Sequence, residues 1–314
     1  MQRLKKILKW TFLVLLAFIA CVGAITASRQ NVKYTGPYPD IKASTDSASI
    51  ARGKHLATSV AHCTDCHSPS NADSLLKLGQ EPVLSGGVAF ELPLGTIYSA
   101  NITSDSTYGI GKYTDAEIAR VLRYGVHPDG TAVYDFMPFH NISNADLSAI
   151  LSYLRTQKPV AIAKPANQLN IAGKLVKAFM VKPVGPSETI AASVPPDTSA
   201  AYGKYLVLNV GNCSGCHTQR SISGEYTGEL LAGGGPMPNG MMSPNLTPDS
   251  TGRLFGWSQQ MFVNRFHMGR LNPKSEMPWN SFQRMNDVEL KAIYNYLQTV
   301  KPVKTAVVKN NTAQ

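Results

Sequence analysis

Cysteine is scarce in this sequence, and acidic residues are outnumbered by basic ones. The 314 residues include five cysteines, of which four lie in two short motifs and the fifth, Cys21, lies in an apolar N-terminal segment. No cysteine pair therefore remains for a disulfide bond. Twenty acidic residues against 30 basic ones give a formal charge of +10. Part of this excess lies in the N-terminal segment, and we find no nucleic-acid motif, so the charge gives only weak support for an acidic docking partner.

The four other cysteines form two copies of the pattern C-x-x-C-H, at 63–67 and 213–217. Each thiol of this pattern can add to one vinyl group of a porphyrin, and the adjacent histidine then binds the iron. A thioredoxin-like dithiol needs a βαβ pattern, which is absent, and a structural zinc site gives no reason for a histidine beside the second cysteine. The motifs therefore predict two covalently attached haem c groups. The predicted attachment residues and proximal ligands are Cys63, Cys66, His67, Cys213, Cys216 and His217.

The two motifs belong to an internal repeat. Ala51–Leu56 precedes the first motif as Ala201–Leu206 precedes the second, at an offset of 150 residues. Further matches occur at smaller offsets: Asn101-Ile102-Thr103 with Asn245-Leu246-Thr247, Met137-Pro138-Phe139 with Met277-Pro278-Trp279, and Lys158-Pro159-Val160 with Lys301-Pro302-Val303. A duplicated unit of roughly 110 residues has the size of a small domain. We expect one unit at 50–160 and a second at 200–304.

Apolar residues within each unit recur at helical spacing. Residues 114–124 open with Thr114 and Glu117 in the positions of a capping box and continue with one apolar face. Residues 144–156 form a second predicted helix, which 287–299 repeats in the second unit. Loops rich in Gly and Pro separate each haem motif from these helices. The pattern favours an all-α fold in which the haem supplies much of each core.

Outside the two units, four segments have distinct compositions. Residues 1–27 join a basic start to an uncharged apolar run, which is typical of a signal or anchor and implies export of the rest of the chain. Residues 28–49 are mostly polar and predict a tether. Residues 161–199 are a proline-marked linker whose middle, 169–181, predicts a short helix packed on a haem unit, with a membrane-surface or partner contact as the alternative. Residues 305–314 form a tail.

Three fates of the N-terminal segment remain open. A retained anchor is the favoured interpretation, because the apolar run just reaches the length that spans a bilayer. Lipidation of Cys21 is the second, since the preceding residues resemble the end of a lipobox, and cleavage near Ala27 is the third. Each of these fates leaves the haem units on the outer side of a membrane, in the periplasm or outside the cell.

The repeat also supplies a candidate for the second axial ligand of each iron. Met137 and Met277 occupy matched positions, each followed by proline and an aromatic residue. Proline stiffens such a loop and favours an extended backbone before it, which helps to hold a weak thioether ligand. Met237 is a rival to Met277, and adaptable methionines are common core fillers. The spare histidines, none of which recurs at a matched position, are His55, His62, His127, His140 and His267.

In the order of its motifs the sequence resembles the cytochrome c subunits of membrane-bound periplasmic dehydrogenases that oxidise alcohols, sugars or aldehydes. The likeness runs from about Ile50 to Val303. Members of that group commonly carry three haem units, and this chain has two. The resemblance implies a class I cytochrome c fold for each unit. It also implies that His67 and Met137 bind one iron and that His217 and Met277 bind the other.

The main functional hypothesis is a diheme electron carrier without catalytic residues of its own. It would relay electrons at the outer face of a membrane, from a dehydrogenase or quinol-side donor toward a terminal acceptor. The expected partners are a redox protein (a dehydrogenase subunit, an oxidase or a soluble cytochrome) and the membrane. The alternative is a diheme peroxidase, which needs one exchangeable distal ligand. That alternative gains weight if His55, His127 or His140 displaces a methionine in one redox state.

Overall fold

The architecture is mainly helical and is described by a computed structural model over residues 2–69, 72–137, 139–221, 224–237 and 239–306. About 41% of the chain is helical. The predicted tail lies mostly beyond the described residues, as do Pro138 and Pro238. The helices are α1 (Gln2–Ser28), α2 (Ser47–Thr58), α3 (Cys63–His67), α4 (Ala72–Lys77), α5 (Asp115–Tyr124), α6 (Asn144–Thr156), α7 (Ile171–Phe179), α8 (Ala200–Tyr205), α9 (Cys213–His217), α10 (Gln259–His267), α11 (Trp279–Phe282) and α12 (Asp287–Leu297).

The N-terminal helix α1 is 27 residues long, or about 40 Å at the rise of an α-helix. Its length and composition suffice to cross a membrane, as those of a signal sequence also do. Its large apolar side chains are exposed to solvent. Helix α1 therefore contributes almost nothing to the core of the haem units.

The same pair of packed helices recurs in both halves of the chain. Helix α2 packs against α6, and α8 packs against α12. A Cβ atom built on Gly53 would lie 1.8 Å from the carbonyl oxygen of Ala149, and one built on Gly203 would lie 1.9 Å from that of Ala292. The two glycines thus let each helix pair approach backbone to backbone. A π-helical turn, Leu206–Val210, extends α8 toward the second haem motif.

The capping box predicted at the start of α5 is present. Thr114 and Glu117 form it reciprocally, each side chain binding the backbone of the other residue. Asn286 and Glu289 form a second box at the start of α12. These boxes satisfy backbone N–H groups that the first helical turn leaves without partners.

A small antiparallel sheet is a finding that the all-α expectation did not include. Strands β1 (Ala89–Leu92) and β2 (Gly95–Tyr98) form a hairpin, and β3 (Gln168–Leu169) pairs with β2 in the order β1-β2-β3. Strand β3 comes from the predicted linker, so the linker is attached to the first unit by backbone hydrogen bonds. Helix α7 comes directly after β3 and confirms the predicted linker helix.

The predicted tether lies along the first unit. The Tyr34 amide donates to the Gly130 carbonyl, at 2.8 Å. The Ala43 amide donates to Oδ2 of Asp115, also at 2.8 Å. Ile41 lies in the hydrophobic core. Much of this segment is therefore bound along the surface of the unit.

The two halves share one hydrophobic cluster and a polar network. Arg52 of α2 makes a bidentate contact with Asp146 and also approaches Glu289 of α12, at 3.4 Å. His55 Nε2 donates to the Glu289 carboxylate at 2.9 Å. The Tyr205 hydroxyl donates to Asp146 at 2.7 Å. Buried carboxylates on both sides are thus paired across the boundary between the units.

Candidate haem-binding sites

Each C-x-x-C-H motif forms a one-turn helix, α3 in the first unit and α9 in the second. The residue before each helix has a left-handed backbone, with φ 39° at His62 and φ 50° at Asn212. This conformation is uncommon for residues other than glycine, and asparagine and histidine are among those that tolerate it best. The shared turn reverses the chain so that both motifs begin in the same geometry.

The two motif histidines are buried and held by the same kind of hydrogen bond. Nδ1 of His67 lies 2.8 Å from the carbonyl oxygen of Ala100. Nδ1 of His217 lies 2.8 Å from that of Pro244. Because a carbonyl can only accept, Nδ1 carries the proton and Nε2 keeps its lone pair for a metal. Burial lowers the pKa of both imidazoles, which also favours the neutral form.

The carbonyl partners were not anticipated from the sequence, although the repeat contained a signal for them. Ala100 and Pro244 directly precede the matched Asn101 and Asn245. The Asn101 side chain donates to the carbonyls of Val160 and Ile162 and accepts from Thr103. The Asn245 side chain donates to the Val303 carbonyl and to the Thr305 hydroxyl and accepts from Thr247. These networks fasten the segment that carries each histidine-binding carbonyl to the end of its unit.

A cavity of about 650 Å³ opens beside the first motif. Cys63, Cys66 and His67 line one side of it and Met137 lines another. Apolar side chains fill much of the remaining wall: Ile102, Ile110, Ile118, Val121, Leu122, Phe139, Ile150 and Leu154. Two thiols, a neutral imidazole and a thioether around an apolar cavity fit an iron porphyrin bound through two thioether bonds. Lys112 and Lys164 at the wall provide cations suited to carboxylate groups.

Met137 and Met277 begin the same tight turn. The Phe139 amide donates to the Met137 carbonyl at 2.8 Å, and the Trp279 amide donates to the Met277 carbonyl at 2.7 Å. Both methionines pack, partly buried, against the hydrophobic core. Met237 instead sits in a separate turn closed by backbone bonds with residues 240 and 241. The local geometry of Met277 therefore matches that of Met137, and that of Met237 does not.

Each candidate site has contacts with the opposite half of the chain. Val210 and Asn212, just before Cys213, help to line the first cavity. In the opposite direction, Asp65 between the first pair of cysteines accepts a hydrogen bond from Ser281, four residues after Met277. Thr64 also contacts Ser281, with 3.2 Å between the two hydroxyl oxygens. The first motif thus contacts helix α11, which follows Met277, and the segment before the second motif lines the first cavity.

Known proteins similar to this chain include cytochrome c subunits of dehydrogenases and a diheme cytochrome, although no family model matches the chain. Over 283 residues it is 31% identical to the alcohol dehydrogenase (quinone) cytochrome c subunit of Gluconacetobacter polyoxogenes, which aligns with 82% of this chain and 57% of the relative. It is 28% identical to the fructose dehydrogenase cytochrome subunit of Gluconobacter japonicus, over 85% of this chain and 55% of the relative. It is 32% identical to a diheme c-type cytochrome of Cereibacter sphaeroides, over 59% and 63% respectively.

This chain is a homologue of dehydrogenase cytochrome c subunits. The resemblance drawn from its motifs is thereby confirmed. The chain spans little more than half the length of the curated relatives that it matches. The names of the relatives imply haem c as the cofactor, and the diheme relative suggests two such groups.

Desolvation in the folded chain favours the neutral form of the motif thiols, although Cys216 is exposed and the other three are half-buried. Burial raises the pKa of Cys63 to about 12, that of Cys66 to about 11 and that of Cys213 to about 12. The pKa of Cys216 is also raised by burial, although Arg220 acts in the opposite direction. The free thiolate, which is the reactive form of cysteine, is therefore disfavoured in the folded chain.

Three histidines, His55, His127 and His140, are rivals for a methionine ligand. Of these, His127 lies at a candidate site. Its side chain lines the first cavity. His55 is bound to Glu289, and His140 is bound through Nε2 to Asp135 at 2.9 Å and through Nδ1 to the Arg123 carbonyl at 3.1 Å. Contacts already occupy Nε2 of His55 and both ring nitrogens of His140.

Proposed function

We propose that this protein carries electrons through two covalently bound haem c groups with histidine and methionine axial ligands. His67 and Met137 would ligate the first iron, and His217 and Met277 the second. The thioether bonds would come from Cys63, Cys66, Cys213 and Cys216. The observation that carries the proposal is the matched geometry of the two sites. Both have a one-turn motif helix, a histidine Nδ1 bound to a carbonyl and a methionine at the start of the same turn.

Different residues of each site would bind the haem, orient its ligands and surround it. A haem with both axial positions filled exchanges one electron with little rearrangement, and a methionine ligand raises its reduction potential. The carbonyls of Ala100 and Pro244 fix the tautomer and the ring orientation of the histidines. The apolar wall of the first cavity would shield a bound haem from water. Contacts of the first motif with Ser281, and of Val210 and Asn212 with the first cavity, support transfer from one site to the other within the chain.

The partner and the location belong to the same proposal. Relatives named as subunits of alcohol and fructose dehydrogenases support a dehydrogenase as electron donor. The length and composition of α1 suffice for a membrane span, and we infer that α1 is retained as a single anchor with the haem units in the periplasm or outside the cell. In this arrangement the chain relays electrons from a dehydrogenase or quinol-side donor toward a terminal acceptor. The chemistry on the substrate would belong to the dehydrogenase and not to this chain.

The alternative function is a peroxidase that uses an exchangeable ligand at one iron. One observation favours keeping it, namely that His127 lines the first cavity together with Met137. The Met277 site lacks a comparable observation among the described residues. A peroxidase function would thus involve the first site.

Carbon monoxide binding to the dithionite-reduced full chain tests both functions. We expect neither haem of the native protein to bind carbon monoxide, because protein ligands already fill both axial positions. Met137→Ala and Met277→Ala should each open one site, seen as half of the maximal absorbance change. Met237→Ala is the matched control and should open none. Binding by one haem of the native protein would refute the closed ligation, and unchanged binding in His127→Ala would refute the histidine exchange.

A further inference from the structure

Helix α7 of the linker presents an exposed apolar stripe. Ile171, Leu175 and Phe179 recur at every fourth position and therefore share one side of the helix. Ile171 is 81% exposed and Phe179 is 43% exposed, while Leu175 is half-buried. Met180 and Val184, which follow the helix, are also exposed. Neighbouring apolar residues exposed in this way mark an interaction surface.

The opposite side of α7 is packed, so the helix has a fixed orientation. A Cβ atom on Gly173 would lie 2.1 Å from the carbonyl oxygen of Leu94 in the β1-β2 turn. The Asn170 side chain caps the helix and also donates to the Pro93 carbonyl. These contacts attach one side of α7 to the sheet of the first unit and turn Ile171 and Phe179 away from it.

Helix α7 lies against the end of the candidate membrane helix. Nε of Arg29, the residue after α1, donates to the Ala178 carbonyl at 2.9 Å. The Gln30 side chain donates to the Lys174 carbonyl, also at 2.9 Å. The Arg29 guanidinium also lies 5.6 Å from the centre of the Phe179 ring. Where α1 leaves a bilayer, α7 is therefore at the depth of the lipid headgroups.

The charges around α7 suit that depth. Lys174 and Lys182 are exposed, Lys177 is half-buried, and Arg29 adds a fourth cation. Segment 169–184 contains no acidic residue, so its cations are not balanced within the segment. Basic residues beside an apolar stripe are typical of a helix that lies in the interface of an anionic membrane.

We propose that α7 is an interfacial membrane helix, a second contact that orients the haem units on the bilayer in which α1 is anchored. This inference rests on the proposed retention of α1. The partner is the lipid surface, because α7 lies against the end of α1 and its stripe is bordered by cations. Two contacts on one side of the first unit would restrict its rotation about α1. The first haem site would then keep a fixed orientation relative to the membrane.

Photocrosslinking in the full-length holoprotein tests this contact. Phe179 is replaced by p-benzoyl-phenylalanine, and the protein is reconstituted into vesicles of phosphatidylglycerol and phosphatidylethanolamine. After irradiation, intact mass spectrometry should show the addition of one phospholipid. Phe12 of α1, 59% exposed, is the matched position for the anchor, and Phe255 of the second unit, 62% exposed, is the matched position for a solvent surface. Haem absorbance before irradiation verifies that each variant is folded.

The three positions separate the possible outcomes. Lipid addition at 12 and 179 but not at 255 is the expected result. Addition at 12 alone would overturn the interfacial helix while leaving the anchor intact. No addition at 12 would overturn the retained anchor, and with it the basis for the second contact. Equal addition at all three positions would show indiscriminate contact and would also overturn the proposal.

Discussion

Asp129 shows how a single residue near the first site affects stability. Its carboxylate accepts hydrogen bonds from the backbone and hydroxyl of Thr131 and pairs with Lys33 at 3.3 Å. Burial acts in the opposite direction, but these contacts lower its pKa to about 2, below the usual value of 3.8. A lowered pKa in the folded state stabilises the protein above the unfolded pKa. That contribution is lost as the pH falls from about 4 to 2.

We expect Asp129→Asn to lower the free energy of unfolding at pH 7 by less than about 1 kcal/mol, because the carboxylate is largely exposed and screened. The difference from the native protein should vanish as the pH approaches 2. Urea unfolding between about pH 2 and pH 7 measures it. Asp40→Asn, at a carboxylate that is 93% exposed, should follow the native curve throughout. A difference in the free energy of unfolding that persists at the acid end of the titration would contradict the lowered pKa of Asp129.

At the scale of elements, the repeated helix pairs depend on the absence of a side chain at two positions. The matched Gly53 and Gly203 each contact a backbone carbonyl of the facing helix. The same glycines carry a propensity cost of about 1 kcal/mol within their helices. Close packing of α2 on α6 and of α8 on α12 must therefore stabilise the fold by more than that cost.

We expect Gly53→Ala and Gly203→Ala each to destabilise the protein by about 3 kcal/mol, because a methyl group at 1.8 to 1.9 Å from a carbonyl oxygen forces the helices apart. The gain in helix propensity is too small to offset this. Thermal unfolding followed by circular dichroism measures the change. Gly235→Ala, where a Cβ atom would meet nothing within 4 Å, is the control. Stabilisation by either helical alanine would show that the helices are not in backbone contact.

At the scale of the whole molecule, the polar network between the units couples their stabilities. Glu289 is fully buried and depends on Arg52 and His55, which belong to the other unit. Asp146 in turn depends on Arg52 and Tyr205. Removing one member of such a network leaves a buried charge without compensation, which costs more than the network contributes in net stability.

We expect Arg52→Met to destabilise the protein by about 3 kcal/mol and to separate the unfolding of the two units into two transitions. Denaturant titration, followed by circular dichroism and by haem absorbance, detects that separation. Lys301→Met is the matched control, because the pair between Lys301 and Glu229 is largely exposed and should contribute less than about 1 kcal/mol. One unchanged transition in Arg52→Met would contradict the coupling.

Several features could be predicted from residue order alone because they depend on local spacing. The paired cysteines with adjacent histidine identify a haem motif at short range, and the capping box of Thr114 and Glu117 also lies within one helical turn. The matched methionines emerged from comparing the two halves of the sequence. Their similar turns support that interpretation, while iron ligation by Met137 and Met277 stays a prediction.

Other features depended on contacts between distant residues, which no local pattern records. The chain alone determined two repeated haem motifs, their helices and an apolar N-terminal segment. Only the tertiary structure decided that the Ala100 and Pro244 carbonyls hold the histidines, that β3 joins the hairpin and that α7 rests on the end of α1. It also decided that Arg52 meets Glu289, 237 residues away. The physical reason is that such pairs form only when packing of the helices brings their backbones together.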